Sequence, residues 1–93
     1  MKKNYLVGYD ISDTKRLNRV AKIVEGFGMR VQYSFFHCYI SNEQKKRMMT
    51  LIGKEIQEDE DQVIILPVTE RQLKEIEFLG FKVNLRAEGI LII

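Results

Sequence analysis

The residues best suited to chemistry are gathered in the first third of the chain. Asp10 ends the apolar run Tyr5-Leu6-Val7-Gly8-Tyr9 and is followed by Ile11-Ser12-Asp13. A carboxylate at the C-terminal end of a buried strand projects from a rigid element at a strand-to-helix junction. There it can hold a hard cation such as Mg2+ or Mn2+, which takes oxygen ligands and keeps waters for chemistry on phosphates. A plainer role is open to the same residues: Asp10 and Asp13 can cap the following helix and shape the turn. One carboxylate is a poor metal site, but a two-fold symmetric dimer can bring two copies of Asp10 together across its axis.

Positive charge follows at once. Lys15, Arg19 and Lys22 fall on the polar side of the next segment, with Arg16 on its flank and Arg30 just beyond. A phosphate backbone approaching Asp10 would need such charge. Any one of these side chains can equally be a solvated surface residue. Arg19 and Arg30 are the stronger candidates, because a guanidinium binds phosphate oxygens in pairs. His37 and Cys38 invite a metal reading, but neighbours on a strand point to opposite faces. The chain has one histidine and one cysteine, so neither a zinc set nor an internal disulfide can form. Both are read as structural, with Cys38 buried. Tyr33, Phe35, Phe36 and Tyr39 could stack on bases, although aromatic strand residues also build cores. No serine triad or glycine-rich phosphate loop is present.

The elements that position these residues follow from periodicity. Residues 5–9 read as a buried strand. Leu17, Val20, Ala21, Val24 and Phe27 recur at helical spacing, so a helix is expected over 14–27, with Asp13 as N-cap and Gly28 as its stop. Residues 30–40 are rich in Val, Tyr and Phe and divide near Ser34 into two antiparallel strands. Ser41-Asn42-Glu43-Gln44 fits a capping box opening a second helix, whose buried stripe is Met48, Leu51, Ile52 and Ile56. Residues 58–61 form an acidic loop, and 63–68 a strand whose Pro67 suggests an edge or an end. Residues 70–79 fit either a helix or a turn and strand. Phe81, Val83 and Leu85 alternate as in a half-buried strand, and residues 90–93 are apolar enough to require burial. The order β-α-β-β-α-β with an additional C-terminal strand predicts an α+β, ferredoxin-like fold: an antiparallel sheet with two helices on one face.

Composition bounds the rest. Ninety-three residues suit one domain, with 1–80 as core and 81–93 as a strand tail at a dimer interface. Hydrophobic residues are 45% and charged residues 30%, the balance of a globular domain rather than a disordered chain. A net charge of +2 and a pI near 8.7 are only mildly basic, so placement of charge must carry any nucleic-acid argument. No stretch has the length of a signal core or a membrane span, and the lone cysteine fits a reducing compartment; a cytoplasmic protein is expected.

Tyr5-Leu-Val-Gly-Tyr-Asp10-Ile-Ser-Asp13, the basic helix after it and Gly28-Met-Arg30-Val-Gln32-Tyr-Ser34-Phe-Phe36 together resemble the small CRISPR-associated endoribonuclease family. Val63-Ile-Ile-Leu-Pro67 and Ile76-Glu-Phe-Leu-Gly80 agree in character and order, so the resemblance spans residues 4–80. It implies that Asp10 is the metal-binding and catalytic aspartate. It also implies that Arg19, Arg30, Gln32 and Ser34 lie at a nucleic-acid surface, to which the charge pattern of the helix adds Lys15 and Arg16. The implied activity is Mg2+-dependent endonuclease cleavage of RNA or double-stranded DNA, with no small-molecule cofactor. The implied partners are a second copy of the chain and the CRISPR integrase, whose dimers it bridges during spacer acquisition. Two alternatives stand beside this reading: a scaffold without catalysis, and a toxin-type endoribonuclease of the same fold.

Overall fold

The computed structural model describes residues 1–80 and the backbone of residues 85–87 and 90–92. The elements run β1 (Lys2–Asp10), α1 (Thr14–Glu25), β2 (Gly28–Gln32), β3 (Phe35–Ser41), α2 (Asn42–Gly53), β4 (Gln62–Val68), α3 (Glu70–Lys74), β5 (Leu85–Ala87) and β6 (Ile90–Ile92). The first four strands form one antiparallel sheet in the order β2-β3-β1-β4. This is the expected ferredoxin-like arrangement, and it puts β1 at the centre, paired on both sides.

One sheet face carries the main core. Tyr5, Val7 and Tyr9 of β1 and Phe36, Cys38 and Ile40 of β3 pack with Val20, Ala21 and Val24 of α1 and Met48 and Ile52 of α2. Alternation along the strands and the helical stripe meet here because each element has one apolar side to hide. Burying a large apolar side chain contributes about 1.5–3 kcal/mol before entropy is counted. Leu51, expected in the α2 stripe, is exposed instead; Ile56 packs on the core from beyond the helix.

The helix ends follow local chemistry. Asp13 caps α1 by accepting from the Arg16 N–H at 2.9 Å. Ser41 and Gln44 form the reciprocal capping box of α2. The stop of α1 differs from expectation. Gly26 is the C-cap, in a right-handed conformation, and Gly28 already belongs to β2. A side chain at Gly28 would sit closer than 3.0 Å to the His37 carbonyl and the Cys38 sulfur, so this residue allows β2 to lie close against β3. The β2–β3 turn falls at Tyr33 and Ser34, as the division near Ser34 implied. Tyr33 takes a φ of 34°, with a register shift between Arg30 and Gln32. That conformation costs energy for a residue with a Cβ. Arg30 supports the turn by donating to the Tyr33 carbonyl.

Residues 70–79, left open between helix and strand, begin with the short helix α3. Thr69 and Gln72 build a second capping box at its start, with the same spacing as Ser41 and Gln44. Leu73 is buried on the sheet face away from α1 and α2, among Leu6, Val31, Val68, Ile76 and Phe78. The tail expected as one additional strand instead holds two short strands, β5 and β6, paired antiparallel with each other in a separate sheet. Phe81 and Val83, Ile93, and the side-chain burial expected for 90–93 lie outside the described residues. Among the described residues, no helix is long and apolar enough to cross a membrane.

Candidate functional site

Asp10 is the last residue of β1, exposed, and paired in register with Gln62 at the start of β4. The Tyr9 N–H donates to the Ser34 carbonyl at 3.2 Å, which draws the β2–β3 turn alongside. Asp10, Ser34, Phe35, Gln62, Ile64 and Leu66 line a shallow depression of about 190 Å³. Its rim at Asp10 is polar and its floor apolar. The pairing of β1 with both neighbours explains this: strand ends from three separate segments are brought level with residue 10. Sequence spacing pointed to Asp10 and Ser34. The sequence offers Phe35 only as an aromatic that could stack on bases and gives Gln62 no role, because only strand register places both beside Asp10.

The arginines near this end are already engaged. Arg16 grips Asp61 with two nitrogens, Nε to Oδ2 at 2.9 Å and Nη2 to Oδ1 at 3.3 Å, and Nη2 lies 3.4 Å from Glu60. Asp61 also accepts the Gln57 N–H at 2.8 Å. The Arg16 hydrogen bond, and then the Gln57 N–H, hold the Asp61 carboxyl below its ordinary pKa. The sequence alone places Asp61 only in an acidic loop. Its side chain is fully shielded from solvent, whereas Arg16 keeps 16% of its side-chain exposure. Arg16, expected at a phosphate, is thus engaged in joining α1 to the entrance of β4.

Arg19, one turn further along α1, pairs with Glu55 at 2.5 Å but stays half exposed. Arg30 stacks over the Phe36 ring at 4.8 Å and lies 3.4 Å from Glu25. The buried Tyr9 hydroxyl has no hydrogen-bond partner of normal geometry among the described residues. Burial raises its pKa, and the nearby Arg30 guanidinium opposes that rise. Lys15 is exposed and forms no ion pair among the described residues. Gln32 lines an adjoining apolar depression with Leu6, Val31, Phe35, Ile76 and Phe78 rather than the one at Asp10.

Among the described residues, no three His, Cys, Asp or Glu side chains converge. Asp10 alone does not supply the oxygens a hard cation requires, so the described residues of one chain do not complete such a site. His37 is bonded through Nε2 to Asn4 Oδ1 at 2.8 Å, and burial lowers its pKa. Burial pushes the Cys38 thiol up to about 11. A buried thiol of that kind is neither a nucleophile nor a ready metal ligand at neutral pH.

Fold and site together define a ferredoxin-like α+β protein with a solitary exposed carboxylate at the end of its first, central strand. The chain matches the family described as CRISPR associated protein Cas2 over residues 3–76, and it belongs to that family. It is 39% identical over 83 residues to the CRISPR-associated endoribonuclease Cas2 2 of Thermodesulfovibrio yellowstonii, covering 89% of this chain and 91% of the relative. It is 33% identical over 76 residues to the CRISPR-associated endoribonuclease Cas2 3 of Synechocystis, covering 82% and 83%. Among solved structures, Streptococcus pyogenes Cas2 superposes with a TM-score of 0.77 at 28% identity, covering 83% of this chain and 99% of that one.

Proposed function

We propose that the chain acts as a symmetric pair in CRISPR adaptation, binding RNA or double-stranded DNA and bridging dimers of the CRISPR integrase. In this reading it also has the capacity for Mg2+-dependent cleavage of phosphodiester bonds. The carrying observation is the position of Asp10 at the margin of a sheet face whose apolar side chains are partly exposed. Phe35, Ile64 and Leu66 on that face are 44%, 55% and 51% exposed. Stacking two such faces about a two-fold axis would hide this surface and set two copies of Asp10 toward one another. The pair of carboxylates would then offer what one chain lacks. Bound between them, Mg2+ would supply charge neutralisation and an acidified water. Lys15, Arg19 and Arg30 would orient the phosphate, with Gln32 and Ser34 as hydrogen-bonding groups beside it. The strand tail beyond residue 80 is proposed to add to this interface.

Cleavage of labelled RNA and duplex DNA, with Mg2+ or with EDTA, is the direct test. Loss of cleavage in Asp10→Ala and in EDTA is expected. Cleavage by Asp10→Ala at the wild-type rate would overturn the assignment. A second reading, a scaffold without catalysis, is favoured by the solitary carboxylate and by the engagement of Arg16, Arg19 and Arg30 in ion pairs. It predicts a stable complex with the integrase that Asp10→Ala forms equally well, without cleavage by either protein. Family membership favours both of these over the toxin-type alternative.

A further inference from the structure

The two ends of the sheet differ in how their cations are used. At the Asp10 end, Arg16, Arg19 and Arg30 all have carboxylate partners, and Lys15 has none among the described residues. At the opposite end, Lys2, Lys3, Lys45 and Arg47 have none within ion-pair distance among the described residues. These cations converge from separate elements. Lys2 and Lys3 begin β1 and line a depression of about 510 Å³ with Tyr39 and the β4–α3 junction. Lys2 and Arg47 share a second depression of about 500 Å³, which again includes Tyr39. Lys2 Nζ lies 5.8 Å from the centre of the Tyr39 ring, and Lys45 Nζ lies 5.2 Å from that of Tyr5. Tyr39 is 40% exposed despite its lysine neighbour. Glu70 at the rim of the first depression and Glu43 on α2 are the nearby acidic residues in these elements, and neither forms an ion pair with the four cations.

We propose that this end of the sheet is a separate nucleic-acid-binding surface, in which Lys2, Lys3, Lys45 and Arg47 contact the phosphate backbone without reading sequence. Cations without internal partners keep their full charge for an incoming polyanion, whereas paired arginines must first exchange one carboxylate for another anion. The surface lies on the rims of open depressions rather than in a closed pocket, which suits a backbone passing over it and not a small anion. Lys2, Lys3 and Lys45 are amines on four-carbon stems that offer point charges, and Arg47 alone among the four carries the planar fork used to read base edges, so binding set by charge rather than by sequence follows. This surface does not depend on Asp10, on metal or on pairing of two chains.

The test is fluorescence anisotropy of a labelled 20-base-pair duplex across a range of NaCl concentrations. It compares the wild type with the triple variant Lys2→Gln, Lys3→Gln, Arg47→Gln and with Lys54→Gln, an exposed cation at the C-terminal end of α2. Each lost phosphate contact makes the slope of log affinity against log salt shallower by about 0.9, so the triple variant should lose roughly 2–3 units of slope. The same loss is expected for a second duplex of unrelated sequence, and Lys54→Gln should retain the wild-type slope. Circular dichroism should show the triple variant folded, since the altered side chains are exposed. An unchanged slope in the folded triple variant would overturn the proposal. So would an unchanged duplex affinity accompanied by lost binding of poly-glutamate, which would assign the surface to an acidic protein. A failure of cleavage in the Asp10 experiment leaves this result standing, so the two readings are tested apart.

Discussion

The two faces of the four-stranded sheet are built from the same strands yet end in different states. One face is sealed: Val7, Phe36, Cys38, Val20, Val24 and Met48 are fully buried between sheet and helices. Among the described residues the other is covered only in part, by α3 and the residues after it around Leu73, while Phe35, Ile64 and Leu66 are partly exposed. Both faces alternate in register with each other, so every strand residue that leaves the sealed core joins the open side. The difference teaches where stability and function separate. The sealed face holds the chain together, and the open face, with Asp10 at its margin, presents apolar surface that a partner can use.

Truncation on the sealed face should have the largest effect. Phe36 touches both helices' side of the core and carries Arg30 over its ring. Phe36→Ala should cost about 3–5 kcal/mol of unfolding free energy, read from urea denaturation. A loss below about 1 kcal/mol would mean that the sealed face is not the main source of stability.

On the open face the same kind of change should act on association. Leu66→Lys should weaken self-association at least tenfold in sedimentation at micromolar concentration, while leaving the urea midpoint of the isolated chain nearly unchanged. A lysine on this surface keeps its charge in water in the single chain but would have to bury it between two stacked faces. A wild-type chain that stays monomeric would remove the open face from the list of interfaces.

A smaller effect belongs to the link between the two halves of the site. Asp61 is held below its ordinary value of 3.8 by Arg16. Its contribution to stability is therefore present above the unfolded-state value and lost as pH falls through the depressed folded value. The melting temperature of the wild type should exceed that of Asp61→Asn at pH 7, and the gap should close below about pH 4. His37 falls in another window: its lowered pKa removes stability as pH drops below the ordinary 6.5, in wild type and variant alike. A gap that stays constant from pH 7 to pH 3 would show that Asp61 acts by packing alone.

Much of the architecture could be read from the linear chain because it depends on local rules. Short apolar runs marked β1 and β4, a 3.6-residue stripe marked α1, and Asp13 and Ser41 capped the helices in place. Asp10 at the end of β1 was legible for the same reason, as a carboxylate following an apolar run. The pattern at Thr69 and Gln72 was equally local, yet it stayed undecided because α3 is only five residues long and the residues beyond it alternate like a strand. Tertiary structure decided what joins distant segments. It set Asp61 against Arg16, Gln62 opposite Asp10, Ser34 beside Tyr9, and Lys2 near Arg47. It also required Gly28 in β2, where no side chain fits between two strands, rather than at the end of a helix. Caps and periodicity act over a few residues, where the chain itself fixes the geometry. Ion pairs, strand register and the division of cations between two ends depend on which segments the sheet brings together, and only the folded sheet supplies that.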